Sequence, residues 1–360
     1  MKNSNVIVKA ILLVWCWPAS SCCKSNNEKQ ADIVLGSLAT VPFVIDDISG
    51  IVPMGNLNPP GHTFPTKHTY SYFKSPGSPK SLFAPGLLTV YQISRFRTTI
   101  SGIAKDDYKI ELGNPKGRNL FFAHVSSLSS KLQTAAGNFS DAVCENYTTG
   151  GSNINYCRKP VNVDVQDNEI IGTGGDSPTS YNIDMGAFDN GTAICPLDLF
   201  TPGAKALMLP LFGNTDGTIR RTVNPICGEW NLDMAGTAQG NWYRTGEPRN
   251  PEDKHIALVK DNVQTQLPRI SIGSNFFDLP SGLYFFDTQN TGLINRAFEQ
   301  VTNDGNAYCY DLKYIYGASV PNTSIILKLE NNNKLSIEKR NCNCSCMPYN
   351  FTAAKLSFEK

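Results

Sequence analysis

The side chains with the most chemistry to offer are scarce and clustered. Four histidines occur in 360 residues, and three of them fall in two short stretches. His62 and His68 stand in Pro59-Pro-Gly-His-Thr-Phe-Pro-Thr-Lys-His-Thr-Tyr70, and His124 stands in Phe121-Phe-Ala-His-Val-Ser-Ser-Leu128. Imidazole titrates near neutral pH and binds divalent metals as the neutral base, so these motifs point to a metal centre or an acid–base site. The plainer alternative has His62 stabilising a Pro/Gly turn and His124 packed on a strand. His255, in Asp253-Lys-His-Ile256, has no companion and is expected on the surface before a strand. Cys342-Asn-Cys-Asn-Cys346 sets three thiols at alternate positions, which on a strand would share a face and suit a soft metal. In an exported chain, disulfide pairing is the stronger use for them. Signatures of phosphate loops and serine hydrolases are absent.

The order of the motifs adds to this. A histidine turn is followed by Ala84-Pro-Gly86 and a strand, then by Phe121-Phe-Ala-His124 and a serine-rich run. Ile171-Gly-Thr-Gly-Gly175 then leads into Tyr181-Asn-Ile-Asp-Met-Gly186. Over roughly residues 40 to 190 this series resembles the lysostaphin-like zinc metallopeptidases of family M23, which cut peptidoglycan cross-bridges on a small antiparallel β scaffold. That family has a His-x-x-x-Asp pair, an Ala-Pro-x-Asp-Gly-x-Val strand, a Tyr-x-His-Leu motif, and a Gly-rich turn before His-x-His-Phe-Glu. The resemblance puts His68 at the first ligand, His124 at the Tyr-x-His histidine, and Asn182-Ile-Asp184 at His-x-His. It implies that His68, Tyr72, Asn182 and Asp184 line one groove with His124 beside it.

The departures from the pattern bear on activity. Catalytic zinc needs three protein ligands and an open position for water. Here Tyr72 stands where Asp is required, and Asn182 and Asp184 stand where histidines are required. The resemblance therefore implies a degenerate enzyme with no cofactor. A reworked set of His62, His68 and Asp184, with His124 as the catalytic residue, is the zinc-dependent alternative, since Asp is an acceptable ligand.

These residues need a β framework. Apolar runs are short and alternate with period two: Leu87-Leu-Thr-Val-Tyr-Gln-Ile93, Tyr108-Lys-Ile-Glu-Leu112 and Leu120-Phe-Phe-Ala-His124. The pattern returns in Ile256–Val259, Ile270–Gly273, Gly282–Phe286, Ser324–Leu329 and Leu335–Glu338. Helices are expected only over Ser126–Ala135 and Pro196–Leu211. Ala235-Gly-Thr-Ala-Gln-Gly-Asn-Trp-Tyr243 opens the second run of strands. Its Gly-x-Trp resembles the barrel base of lipocalin-like proteins, although a single buried tryptophan in an ordinary β domain accounts for it as well.

Residues 1–23 read as an export signal, with Lys2 and Lys9 before the apolar run Ala10–Trp17 and small residues after it. That run is far short of the roughly 20 residues that span a bilayer. Ala19-Ser-Ser-Cys22 resembles the lipobox of bacterial lipoproteins, which makes Cys22 or Cys23 the acylated N-terminus and residues 24–39 a tether. Of the 11 cysteines, Cys16, Cys22 and Cys23 lie in this leader. Eight remain as disulfide candidates: Cys144, Cys157, Cys195, Cys227, Cys309, Cys342, Cys344 and Cys346. Eight allow 105 connectivities; Cys144 with Cys157, and Cys309 with one of the C-terminal trio, are the local pairings expected. A net charge of +1 without a basic cluster excludes nucleic acid as a partner.

The expectation is an all-β protein of two domains. An M23-like scaffold occupies residues 40–194, a helical linker 195–225, and a β-sandwich or barrel 226–360. Its expected place is the bacterial cell envelope, lipid-anchored or secreted, with peptidoglycan or another envelope glycan or peptide as ligand. Whether it is an enzyme stays open, with non-catalytic binding preferred to a zinc peptidase or amidase.

Overall fold

A computed structural model describes residues 31–360 except 101–102, 150–151, 177–179, 275–277, 316–319 and 321. The signal segment, Cys22 and Cys23 lie outside the described residues. Among the described residues no helix is long and apolar enough to cross a membrane.

The chain is all-β and forms two antiparallel sheets. The first has eleven strands, in the order β1 (Ile48–Val52), β2, β10, β6, β5, β4, β8, β7, with β11 (Thr192–Ile194) on β10 and β9 joining β3 (Lys80–Phe83) to β6. The strands that matter for the site are β2 (Thr69–Phe73), β5 (Ile103–Gly113), β6 (Arg118–Leu128), β9 (Ile170–Gly174) and β10 (Asn182–Asp189). Alternation along β10 sends Ile183, Met185 and Ala187 into the main apolar core, each fully buried. Asn182, Asp184 and Gly186 therefore face the other way.

The long strands β4 (Leu88–Ile100), β5 and β8 (Ser152–Val165) continue past the core, with β7 (Val143–Thr149) at the edge. Cys144 opposes Cys157 in the β7–β8 register, and the two form the expected disulfide.

Both expected helices are shorter than the sequence suggests. α1 covers Ser130–Ala136, not Ser126–Ala135, because Val125, Ser127 and Leu128 stay in β6, paired to β9. Ser129 then caps the helix by accepting the Leu132 amide, while Leu132 and Ala136 turn inward. The Pro196–Leu211 stretch breaks into a 3-10 turn at Pro196–Leu199, α2 at Pro202–Met208 and another 3-10 turn at Leu209–Leu211. Proline starts helices but does not continue them. Phe200, the residue before Thr201-Pro202, is extended and bridges Leu38.

This segment packs back on the first sheet. Ile51 bridges Phe212, Met54 bridges Gly228, and Cys195 is bonded to Cys227. Phe212 and Cys227 belong to the first core, which Trp230 flanks.

The second sheet has nine strands in the order β16, β18 (Ser324–Asn331), β19 (Lys334–Arg340), β20 (Leu356–Glu359), β12, β13 (Ile256–Lys260), β14 (Pro268–Ile272), β15 (Gly282–Phe285), β17. Its two ends, β16 (Tyr308–Asp311) and β17 (Lys313–Tyr314), are consecutive in sequence and separated by Leu312 alone. The sheet therefore curls into a near-closed barrel around its own core. β12 (Gly240–Arg244) pairs with β13 through Trp242 and with β20 through Tyr243 and Arg244. Trp242 is fully buried in that core and donates its indole N–H to the Ala238 carbonyl at 2.8 Å. One buried tryptophan in a β domain is sufficient to account for the Gly-x-Trp string.

Cys309 is bonded to Cys344, giving three disulfides in all among the described residues. Such a set marks a chain that folds in an oxidising, extracytoplasmic compartment. Cys342 and Cys346 are thiols, and a hydrogen bond to Cys342 raises the Cys346 pKa. Thiols this close in an oxidising compartment are expected to form a fourth disulfide on exchange with an external disulfide. Denatured, unreduced protein should then take up no maleimide at Cys342 or Cys346. Labelling at both Cys342 and Cys346 would show the pair to be stably reduced.

Candidate functional site

The polar face of the first sheet gathers the residues that the sequence singles out. On neighbouring strands Asn182 opposes Tyr72 and Asp184 opposes Tyr70, so all four side chains share a face. His68 lies one residue before β2, and its Nε2 is 3.2 Å from Asp184 Oδ2. Gly186 makes room for this approach: a Cβ there would lie 2.2 Å from the Phe121 ring and 3.0 Å from His68 Cβ.

His124 reaches the same carboxylate through a bulge. Between the pairs Tyr108↔Val125 and Ile110↔Phe122, β6 holds one more residue than β5. His124 takes φ 59°, a left-handed conformation uncommon outside glycine. The kink turns the imidazole so that Nε2 is 3.6 Å from Asp184 Oδ2, while Nδ1 donates to Asp107 Oδ2 at 2.6 Å.

Asp184 is thus the centre of a buried polar cluster. Its Oδ1 accepts from Asn182 Nδ2 at 2.6 Å, and Asn182 in turn accepts from the Ser180 hydroxyl. Asn182 and Asp184 are each only 3% exposed. Burial opposes ionisation of Asp184, but His124 and His68 outweigh it and the carboxyl pKa is lowered. Burial likewise opposes protonation of His124. Asp184 and the bonded Asp107 overcome it and lift the imidazole to about 9. His124 is accordingly a cation at neutral pH, held between two carboxylates.

The loop before β2 covers the cluster. Asn58 and His62 exchange backbone hydrogen bonds, Gly55 N bonds Thr66 O, and Thr66 N bonds Asn56 O. This places the His62 ring 5.6 Å from that of His68, edge to face. The turn-stabilising role and the cluster role of His62 therefore coexist. Burial, then the neighbouring His68, push its pKa down to about 4, so His62 is neutral.

The barrel clamps the outside of this loop. Phe64 N donates to Glu252 Oε2 at 3.0 Å, and Asn262 Nδ2 donates to Pro53 O at 2.8 Å. Phe64 stacks on His255, with ring centroids 5.7 Å apart and planes 5° apart.

His255 is thus not a surface residue, as its charged neighbours suggest. It is fully buried, its Nδ1 accepts from Arg244 N at 3.1 Å, and its Nε2 lies 3.2 Å from Arg249 O. Burial lowers its pKa, so it is a neutral structural imidazole.

The structure brings His62, His68, Tyr72, His124, Asn182 and Asp184 onto one face. Asp107 is the functional neighbour that sequence reasoning misses. It lies on the same strand face as Lys109 and Glu111, where an acid reads as solvated.

As a metal centre the cluster fits poorly. Among the described residues no group of three or more His, Cys, Asp or Glu side chains is arranged to hold a metal. The histidine nitrogens that face Asp184 lie against its Oδ2 at 3.2 and 3.6 Å, and binding a metal at His124 would first require removing its proton.

No family model and no curated protein matches this chain. A solved structure, described as that of the SpoIIQ–SpoIIIAH pore-forming complex, is matched with 13% identity and a TM-score of 0.28. The match covers 47% of this chain and 93% of that one, and at this TM-score it defines neither fold nor function.

Proposed function

We propose that this is an exported cell-envelope protein whose first sheet is a degenerate M23-like scaffold that binds peptidoglycan or another envelope ligand without cleaving it. The observation that carries this reading is the state of Asp184. At a position where the resemblance requires a zinc-binding histidine, a buried carboxylate is already engaged by His68, Asn182 and protonated His124. Tyr72, across from Asn182, supplies no carboxylate.

The same reading has a lipid on Cys22 or Cys23 holding the protein to the membrane. It divides the chain into a scaffold at 40–194, a linker at 195–225 and a second domain from 226. The separate barrel core supports that division.

A second reading, a zinc peptidase or amidase, is favoured by two observations. The separations of 3.2 and 3.6 Å around Asp184 Oδ2 are near the edge of a zinc tetrahedron with ligand bonds of about 2.0–2.1 Å. Asp107 also grips the far nitrogen of His124 as outer-shell carboxylates do.

Zinc content, co-sedimentation with purified peptidoglycan and release of soluble fragments together test both readings on the mature protein. The expected result is sedimentation without stoichiometric zinc and without fragment release. Stoichiometric zinc, lost together with hydrolysis on His68→Ala, would establish the hydrolase instead.

A further inference from the structure

Away from the histidine cluster, two cavities have no role so far, one at the seam between the first sheet and the barrel and one beside it in the barrel wall. One, of about 200 Å³, is lined by Asn56, Asn214 and Thr215 from the first half and by Asp261, Asn262 and Gln264 from the second. The other, of about 460 Å³, lies against Phe285, Leu267 and Pro268. Arg269 and Ile315 line both, so the two are neighbours across a common wall. Together they are in the range of small-molecule sites.

The charges in these walls cancel. Arg269 lies 2.8 Å from Asp261 and is nearly buried, and Asp287 is paired with Lys313. Neither an anion nor a cation finds an unanswered charge here, which argues against phosphate, nucleotide and metal ligands.

What remains is uncharged hydrogen-bonding capacity. An amide offers a donor and an acceptor side by side; in the first cavity Asn214 is already bonded to Thr218 and Ile219 and Asn262 to Pro53, so most of the remaining capacity belongs to Gln264. Asp261 Oδ1 fixes the turn by accepting the Val263 and Gln264 amides. The Gln264 side chain and the Thr215 hydroxyl have no partner among the described residues. Phe285, half-buried, stands in the other cavity with Arg269 and Lys313 at 5.9 and 5.8 Å from its centroid, the outer limit of cation–π contact.

We propose that this seam binds a short, uncharged oligosaccharide. Its hydroxyl or acetamido groups meet the amides of the first cavity, and one sugar lays its C–H face against Phe285 in the second. Amphipathic rings that pair an apolar face with a hydroxyl rim match this division of the walls. Ligands without polar groups would leave the Gln264 side chain without a partner. The inference concerns a different surface from the Asp184 cluster and does not depend on what that cluster binds.

Calorimetric titration of the full mature chain with neutral trisaccharides of glucose, mannose and N-acetylglucosamine tests this, with a sulfated trisaccharide as the charged control. At least one neutral sugar should bind, with Kd at least fivefold higher in Gln264→Ala and in Phe285→Ala. His68→Ala should bind as the parent does, which separates this site from the envelope-binding reading above. Gln264→Ala removes a side chain with no internal partner, so it keeps the test open if Phe285→Ala melts early. Absence of binding by every neutral sugar, preference for the sulfated one, or unchanged Kd in Gln264→Ala would each overturn the proposal.

Discussion

Replacing Asp184 with alanine is expected to destabilise the folded chain by about 3 kcal/mol, near the lower end of the cost of breaking a buried ion pair. The carboxylate is 3% exposed and engages three side chains. The cost stays at the lower end because the His124 side chain is 30% exposed and keeps Asp107. Urea unfolding would measure the loss, and a change below about 1 kcal/mol would show that the cluster is not stabilising.

The same cluster sets the sign of the pH dependence. His124 is raised from 6.5 to about 9, so its contribution is complete below the unfolded value and fades as pH climbs through 9. His62 is lowered from 6.5 to about 4, so stability falls as pH drops from 6.5 through 4. Asp184, also lowered, adds a further loss on the acid side below its ordinary 3.8. Tm should therefore peak near neutrality, and His124→Gln should flatten the alkaline limb and, by removing a cation that holds the Asp184 carboxyl low, also shrink the acid-side loss. An alkaline limb unchanged in that variant would place the titration elsewhere.

Restoring the zinc ligands should change metal affinity by orders of magnitude. The triple variant Tyr72→Asp, Asn182→His and Asp184→His puts an aspartate and two histidines on the face that His68 already overlooks. Zinc takes its full coordination energy only from a complete set, so each single change should leave affinity within about tenfold of the parent. Competition against a chromogenic chelator gives the number. If Tyr72→Asp alone recovers tight zinc binding, the native Asp184 is already a ligand, and the degenerate-scaffold reading fails.

The architecture was legible where strands are buried on both faces and read as continuous apolar runs. Ile256–Val259, Ile270–Gly273 and Leu335–Glu338 have the apolar content that a sheet core demands, and each lies in a strand. β8 was not, because only Cys157 and Val165 of its 14 residues are buried and Arg158-Lys-Pro160 interrupts its apolar alternation. The histidine neighbourhood was legible as a set of positions, since alternation on β2 and β10 fixes which side chains share a face. Its chemistry was not. The bulge that turns His124 toward Asp184, the Asp107 behind it and the partnership of Phe64 with His255 are all contacts between distant segments. None leaves a mark on the local pattern.

The barrel differs from the first sheet in one further respect. The first sheet ends on one side in β1, which the Ile51–Phe212 bridge holds, and on the other in β7, a strand with an unpaired edge from which a sheet can peel or recruit a foreign strand. In the barrel the outermost strands, β16 and β17, are joined through Leu312, and the Cys309–Cys344 bond anchors the first of them. Neither can leave without pulling on the other, so the barrel has no strand at which fraying begins. Its amides should exchange with solvent as one cooperative block, while exchange in the first sheet should run inward from β7.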